Sequence, residues 1–597
     1  MPDILIRNVK IIDGISDEPY FGDIAIEEGR IVGVGKISGQ AKRVINGDGL
    51  TACPGFFDIH SHIDRELTRT PTADNLILQG ITSALAGHCG ASNAPAFSDA
   101  YHPYMEKRIG FAFPWHSFGE MLDEMEKGKL GVNLFQLVGT NMIRSSAMPD
   151  GWNRPASEKE IEAMKRLTEE AMSAGAYGVS YTGDAGTPSH WMSFDELTEV
   201  LKVCRKYDGV FAPHTRHHQF QFPSGEEGMS IYGLYDGPKG EMFVGRYHGL
   251  LEPSEVCFAA GGCRLHISHI TPTTIVYHPH SASLDEALAL STLEDIIDAP
   301  RQKGLDVTFD VLCSDFSIGA EKRIASDLVS GTLIRPDWMT GMDDDAFASS
   351  MKAPDAAERL RKLFDSGNMK VGMLHPVQDP YWFECYRVIS SKDKNAEGKT
   401  LAELAFGKGR PTVETVYHTI YEVIADLLAA DPSSTWALIR DKREYRAMNT
   451  FMKHDVATIG TDMGKLVPLA GSHGRPQDDK SLYGQGPYLY NGFIQFLVNA
   501  VRRDGVLTLP EAVKRITSFP AQKVLHLNNY GVLRENAFAN IVLLDETKLD
   551  YRIDFTHPMQ APTGIESVFV NGTPALENGK LTGATAGRLV RHGSCFE

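Results

Sequence analysis

Residues 52–64 read ACPGFFDIHSHID: a short apolar run, then two histidines two positions apart. In a strand, residues i and i+2 point to the same face, so His60 and His62 can reach one point. Four later runs end in the same way. ITSALAGHCGAS (81–92) carries Cys89, GVFAPHTR (209–216) carries His214, CRLHISHI (263–270) carries His269, and VATIGTD (456–462) carries Asp462. Each feature alone has a plainer reading: a structural histidine pair, a small buried hydrophobe, a helix-capping aspartate. Together they place a metal-competent residue at the C-terminal edge of five predicted strands. In a barrel of parallel strands those edges converge on one mouth, where active sites lie.

The surrounding chain supports that barrel. Further apolar runs, GVNLFQLVG (131–139), GAYGVSYTG (175–183) and LDVTFDVL (305–312), alternate with stretches of helical period. Residues 157–175 and 193–209 each open on a serine and close on a glycine, as helices do. Strand alternating with helix predicts a parallel sheet. So many repeats predict a closed, TIM-like (β/α)8 barrel over an open sheet, and no GxGxxG follows any strand. The two ends differ from this middle. ILIRNVKIID and DIAIEEGRIVGVG near the start, and NIVLLDETKLD and SVFVNGTPALENGKLTG near the finish, are short strands with turns. They predict one small β-sandwich domain from residues 1–54 and 531–597, with the barrel over 55–530. Residues 315–445 break the rhythm and predict an insertion in the place of a lid.

Composition excludes some classes. The 597 residues are 42% hydrophobic, enough for a large core, and 59 Lys+Arg against 77 Asp+Glu leave a net charge of −18. Nucleic acid and anionic membrane both need a basic footprint, so neither is expected as a partner. No stretch approaches the ~18 apolar residues of a membrane helix, and the N-terminal strand pattern lacks a signal peptide's apolar region. Eight cysteines are scattered without CxxC spacing and read as reduced thiols. The expectation is a cytoplasmic protein acting on a small molecule, with self-association into a homo-oligomer left open.

Imidazole nitrogen with cysteine sulfur favours zinc over magnesium or calcium. Zinc makes water acidic near neutral pH and polarises a carbonyl. A carboxylate beside that water, Asp462, can take its proton and deliver it to a leaving amine. The assembled reading is metal-assisted hydrolysis of a carbonyl compound.

These segments resemble the amidohydrolase superfamily, and within it the N-acyl-D-amino-acid deacylases, or D-aminoacylases. ACPGFFDIHSHID is similar to the family's opening metal motif, GHCGAS to its Gly-Asn-Cys-Gly segment, FAPHTR to its Thr-His-Ile-Arg segment, HISHI to its Ile-Ser-His segment and TIGTD to its Ile-Gly-Ser-Asp segment. The likeness runs nearly end to end. It implies one tight zinc on Cys89, His214 and His269, a weaker second metal site at His60 and His62 bridged by Cys89, and Asp462 as acid/base and a further ligand. It also implies that a substrate carboxylate is held by Arg475, with His473, in the segment GSHGRPQ (471–477). Tyr181 lies near a strand end and is a further substrate-binding candidate. The sequence departs from the family at His88, where asparagine is usual, at Pro213, and after the Ser-His segment at Ile270-Thr271-Pro272. Two enzymatic readings stay open: hydrolysis of an N-acyl-D-amino acid or similar carboxylate-bearing amide, and hydrolysis of a cyclic amide, hydantoin or aryl-amide xenobiotic. A barrel that has lost its metal is a third, and the retained ligands speak against it.

Overall fold

The alternation of strand and helix closes on itself. In the computed structural model the described residues are 1–67, 70–95, 114–183, 187–216, 234–236, 242–270, 282–313, 322–332, 335–365, 382–407, 413–438, 445–464, 466, 488–554 and 559–594. The barrel strands are Phe56–Asp58, Ile81–Ala86, Asn133–Gln136 continued by Val138–Gly139, Gly178–Thr182, Val210–His214, Arg264–Ile267, Val307–Leu312 and Ala457–Gly460. Each pairs in parallel with the next. The ring closes just beyond the first and last strands, where Ser61 bridges Met463. There the Asp462 N–H donates to the His60 carbonyl at 2.8 Å and the His62 N–H to the Met463 carbonyl at 2.7 Å. This is the (β/α)8 barrel that the alternation predicts.

Local sequence explains the helices between. Glu158–Ala174 begins at a Ser157–Glu160 capping box and ends at Gly175, whose φ of +113° suits a residue without Cβ. Its buried residues Met164, Thr168, Ala171 and Met172 form one stripe. Phe194–Lys206 is capped by Ser193, which accepts from the Glu196 N–H.

Period two decides what faces inward. On the sixth to eighth strands Leu265, Ile267, Val307, Phe309, Val311, Ala457 and Ile459 join the main core. The alternate residues His266, Thr308, Asp310 and Thr458 are buried and polar. Across the barrel Phe57, Leu85, Phe135, Tyr177 and Val210 pack with Val524, Leu525 and Tyr530 in a separate apolar cluster. The interior therefore holds an apolar cluster on one side and the run of His266, Thr308, Asp310 and Thr458 on the other.

Both termini build one nine-stranded sheet. Its two contributions join where Thr51–Pro54 runs antiparallel to Ile541–Leu544, with Cys53 opposite Val542. The insertion after the seventh strand has its own core, including Ile324, Phe347, Leu360, Phe364, Ile424 and Trp436. It also has a three-stranded sheet of Lys322–Arg323, Thr435–Leu438 and Tyr386–Ser390. Seven cysteines among the described residues are unbridged. No helix of the described residues is long and apolar enough to cross a membrane.

Candidate metal centre

Five barrel strands deliver their side chains to the same mouth. His60 and His62 follow the first strand, Cys89 follows the second, His214 ends the fifth, His269 lies just past the sixth and Asp462 just past the eighth. Two groups result: His60, His62, Cys89 and Asp462, and Cys89, His214 and His269, with the ligand atoms of each within 4.8 Å of one another. Cys89 belongs to both. Its Sγ lies 3.5 Å from His60 Nε2 and 3.6 Å from His269 Nε2. Asp462 Oδ1 lies 3.1 Å from His62 Nε2 and 3.6 Å from His60 Nε2. Gly460 permits the approach of the eighth strand, since a Cβ there would stand 2.5 Å from the His60 Cβ.

The donors fit zinc. The set is imidazole, cysteine and carboxylate, which zinc takes in both structural and catalytic sites. Burial opposes ionisation of the Cys89 thiol, yet His60 beside it and contacts from His214 and His269 hold it well below its ordinary value. The thiolate is the form that binds metal.

Three of these six residues have left-handed backbone: Cys89 at φ +51°, His269 at +34° and Asp462 at +54°. Such a conformation costs a non-glycine residue about 1–3 kcal/mol and persists only where its surroundings fix it. At Cys89 the Ser180 hydroxyl accepts from the Gly90 N–H at 3.1 Å and donates to the Gly87 carbonyl, and the Asn141 N–H donates to the Gly90 carbonyl at 2.9 Å. At His269 the main-chain N–H donates to Asp310 Oδ1 at 3.0 Å.

Asp310 and His88 were missed as site residues in the sequence. Asp310 is wholly buried, its Oδ2 lying 3.0 Å from His60 Nδ1 and 3.2 Å from His266 Nε2. Burial resists its ionisation, but His60 and His266 hold the carboxyl well below the usual carboxylate range. The available signal was a charge in a strand whose alternate positions, Val307, Phe309 and Val311, are all apolar. His88, wholly buried, stacks on His60 with ring centroids 4.0 Å apart. Burial and the neighbouring His60 hold its ring well below the ordinary histidine value.

Of the substrate-binding candidates, only Tyr181 falls among the described residues, and it is not gathered here. Tyr181 is 2% exposed and packs in the main core, 6.2 Å from the Phe211 ring and 5.7 Å beneath the Arg216 guanidinium. Arg216 is engaged by Glu252 at 2.9 Å and by the carbonyls of His190 and Met192. His473 and Arg475 lie outside the described residues.

Residues 43–195 match the pattern of the amidohydrolase family. A D-aminoacylase of Alcaligenes xylosoxydans xylosoxydans is 25% identical over 591 residues, covering 98% of this chain and 97% of the relative. The chain is thus similar to the amidohydrolases, and along almost its whole length to a D-aminoacylase. As a metal-dependent amidohydrolase, it cleaves amide C–N bonds. Two solved structures share the amidohydrolase's fold. One, from work on the binuclear metal centre of D-aminoacylase, has a TM-score of 0.66 at 22% identity and covers 99% of this chain and 100% of its own. The other is the N-acyl-D-glutamate deacylase of Bordetella bronchiseptica with zinc and a phosphonate inhibitor, at 0.65 and 22%, covering 99% of both chains.

Proposed function

We propose that this amidohydrolase removes the acyl group from a small N-acylated substrate bearing a carboxylate beside the leaving nitrogen, with N-acyl-D-amino acids as the leading class. The observation that carries the reading is the meeting of two ligand groups at Cys89, with Asp462 against His62. Cys89, His214 and His269 would hold one tight zinc, and His60, His62 and Asp462 would complete a weaker second site sharing Cys89. When bound, zinc would acidify water and polarise the scissile carbonyl. Asp462, a short strand-end side chain aimed at the same point, takes a proton from the attacking water and returns it to the leaving nitrogen. The likeness of the segment GSHGRPQ to the family's carboxylate-binding segment gives the substrate carboxylate to Arg475, with His473 two positions earlier in the sequence. A guanidinium makes two parallel hydrogen bonds to a carboxylate and so fixes the configuration of the adjacent carbon.

The second reading, hydrolysis of a cyclic amide or an aryl amide, draws support from His88, which adds a bulky ring next to His60. Paired N-acetyl-D- and N-acetyl-L-amino acids, their carboxamides and a hydantoin panel separate the two. The proposal expects hydrolysis of the D-acid, strong preference over the carboxamide, and loss of most of that preference in Arg475→Ala. Charge-assisted hydrogen bonds contribute roughly 1.5–3 kcal/mol, or about 10–150-fold in kcat/KM. Equal losses on acid and carboxamide, with turnover of the cyclic substrate, would transfer the assignment to the second reading.

A further inference from the structure

We infer that Asp310 is a positioning residue that holds ligands of both metal groups with a single carboxylate. The inference rests on the zinc reading above and goes beyond it, because Asp310 is itself no ligand. One oxygen faces His60 Nδ1 at 3.0 Å and His266 Nε2 at 3.2 Å, and the other accepts the His269 main-chain N–H at 3.0 Å. His60 belongs to one group and His269 to the other.

The geometry bears on protons as well as positions. An ionised carboxylate only accepts, so it favours a His60 hydrogen on Nδ1; Nε2, the nitrogen 3.5 Å from Cys89 Sγ, would then give its lone pair to a bound metal. His266 Nε2 stands 3.2 Å from the same oxygen as a charge contact without hydrogen-bond alignment, and its Nδ1 is hydrogen-bonded to the Thr308 hydroxyl at 2.8 Å. Thr308, His266 and Asp310 thus form a buried line running along the barrel interior to His60. The contact to the His269 N–H acts differently: it supports the left-handed backbone that aims this ligand at Cys89.

Asparagine at this position cannot serve both donors. Whichever way its amide turns, an N–H faces either the His60 Nδ1–H or the His269 N–H. Asp310→Asn keeps the shape of the side chain and should weaken zinc binding by about 10–100-fold, the usual effect of losing a partner behind a ligating histidine. Titration of metal-stripped protein with zinc measures this. Cobalt substitution adds a spectroscopic readout, because the thiolate-to-metal absorption reports how Cys89 and its neighbours meet the ion. A purely structural role would lower the Tm of the stripped protein and leave both readouts unchanged. Thr308→Val, which touches neither Asp310 nor a ligand, frees the His266 ring and should weaken binding several-fold in the same direction. It decides the matter if Asp310→Asn does not fold. Wild-type protein that binds no zinc would remove the metal reading and this inference together. Wild type that binds zinc, with variants of equal affinity and unchanged cobalt spectra, would overturn the inference alone.

Discussion

Cys89 and Asp462 stand a few ångströms from the same histidines, yet they predict opposite phenotypes. Cys89 is shared by both ligand groups, so Cys89→Ala vacates a position in each. That variant should lose its zinc, because the remaining neutral imidazoles replace neither the charge nor the softness of the thiolate. Asp462→Asn should retain the tight zinc, whose ligands it leaves alone, and lose about 10²–10⁴-fold in kcat, the usual contribution of general acid–base catalysis. Elemental analysis and kinetics on the two purified variants check both halves. Full zinc in Cys89→Ala, or more than about a tenth of wild-type kcat in Asp462→Asn, would sink the corresponding role. The ligand residues were legible in the sequence because each ends an apolar run, and a polar residue there is read one run at a time. Asp310 was not, because its partner His60 is 250 residues away and nothing local marks the pairing.

Helix ends and strand faces were legible for the same local reason. Ser157, Gly175 and Ser193 bound their helices in the structure as their chemistry predicts. What local pattern could not give is the join between neighbouring elements. Arg144, in the helix Thr140–Ala147 after the third barrel strand, pairs with Glu196 in the first turn of the helix after the fourth. Both side chains are at most 3% exposed. Arg144 also donates to the carbonyls of Trp152 and Arg154, and Glu196 accepts the Ala156 N–H at 2.9 Å. The pair thereby pins the loop between Thr140–Ala147 and the next helix, Glu158–Ala174. Glu196→Ala strands a buried guanidinium and should cost about 3–5 kcal/mol in urea unfolding. The double change Arg144→Met, Glu196→Leu removes both charges together and should cost much less, since the desolvation penalty disappears with the attraction. If the single and double variants were equally destabilised, the effect would belong to lost packing and loop anchoring, and the ion pair would have no separate role.

At the scale of the molecule the metal centre and the insertion answer to different forces. The alternation of strand and helix made the barrel legible, and strand-rich ends made the terminal sheet legible. The insertion's separate core was not, because periodicity says which face of a helix is apolar and not what it packs on. The amphipathic helix Ala356–Asp365 buries Leu360, Leu363 and Phe364 in the core of Ile324 and Trp436, although its sequence would suit the barrel's outer layer equally well. None of the metal-competent groups among the described residues draws on that core. The candidate ligands come instead from the first, second, fifth, sixth and eighth barrel strands. The first and eighth meet where the ring closes, through the His60 carbonyl and the Asp462 N–H. A ligand that binds only the folded state stabilises it by mass action, about 2.7 kcal/mol at a hundred times its Kd. Stripping the metal should therefore lower Tm, and zinc should restore it. The lost protection should be local as well. Amide exchange in the stripped protein should quicken in residues 56–64, 81–92, 209–216, 263–270 and 456–464, where the ligands and the barrel seam lie, and stay unchanged in residues 344–365 and 420–438 of the insertion. Equal acceleration in both regions would mean that the two cores unfold as one unit. No change in either would mean that the metal does not bind at the barrel mouth.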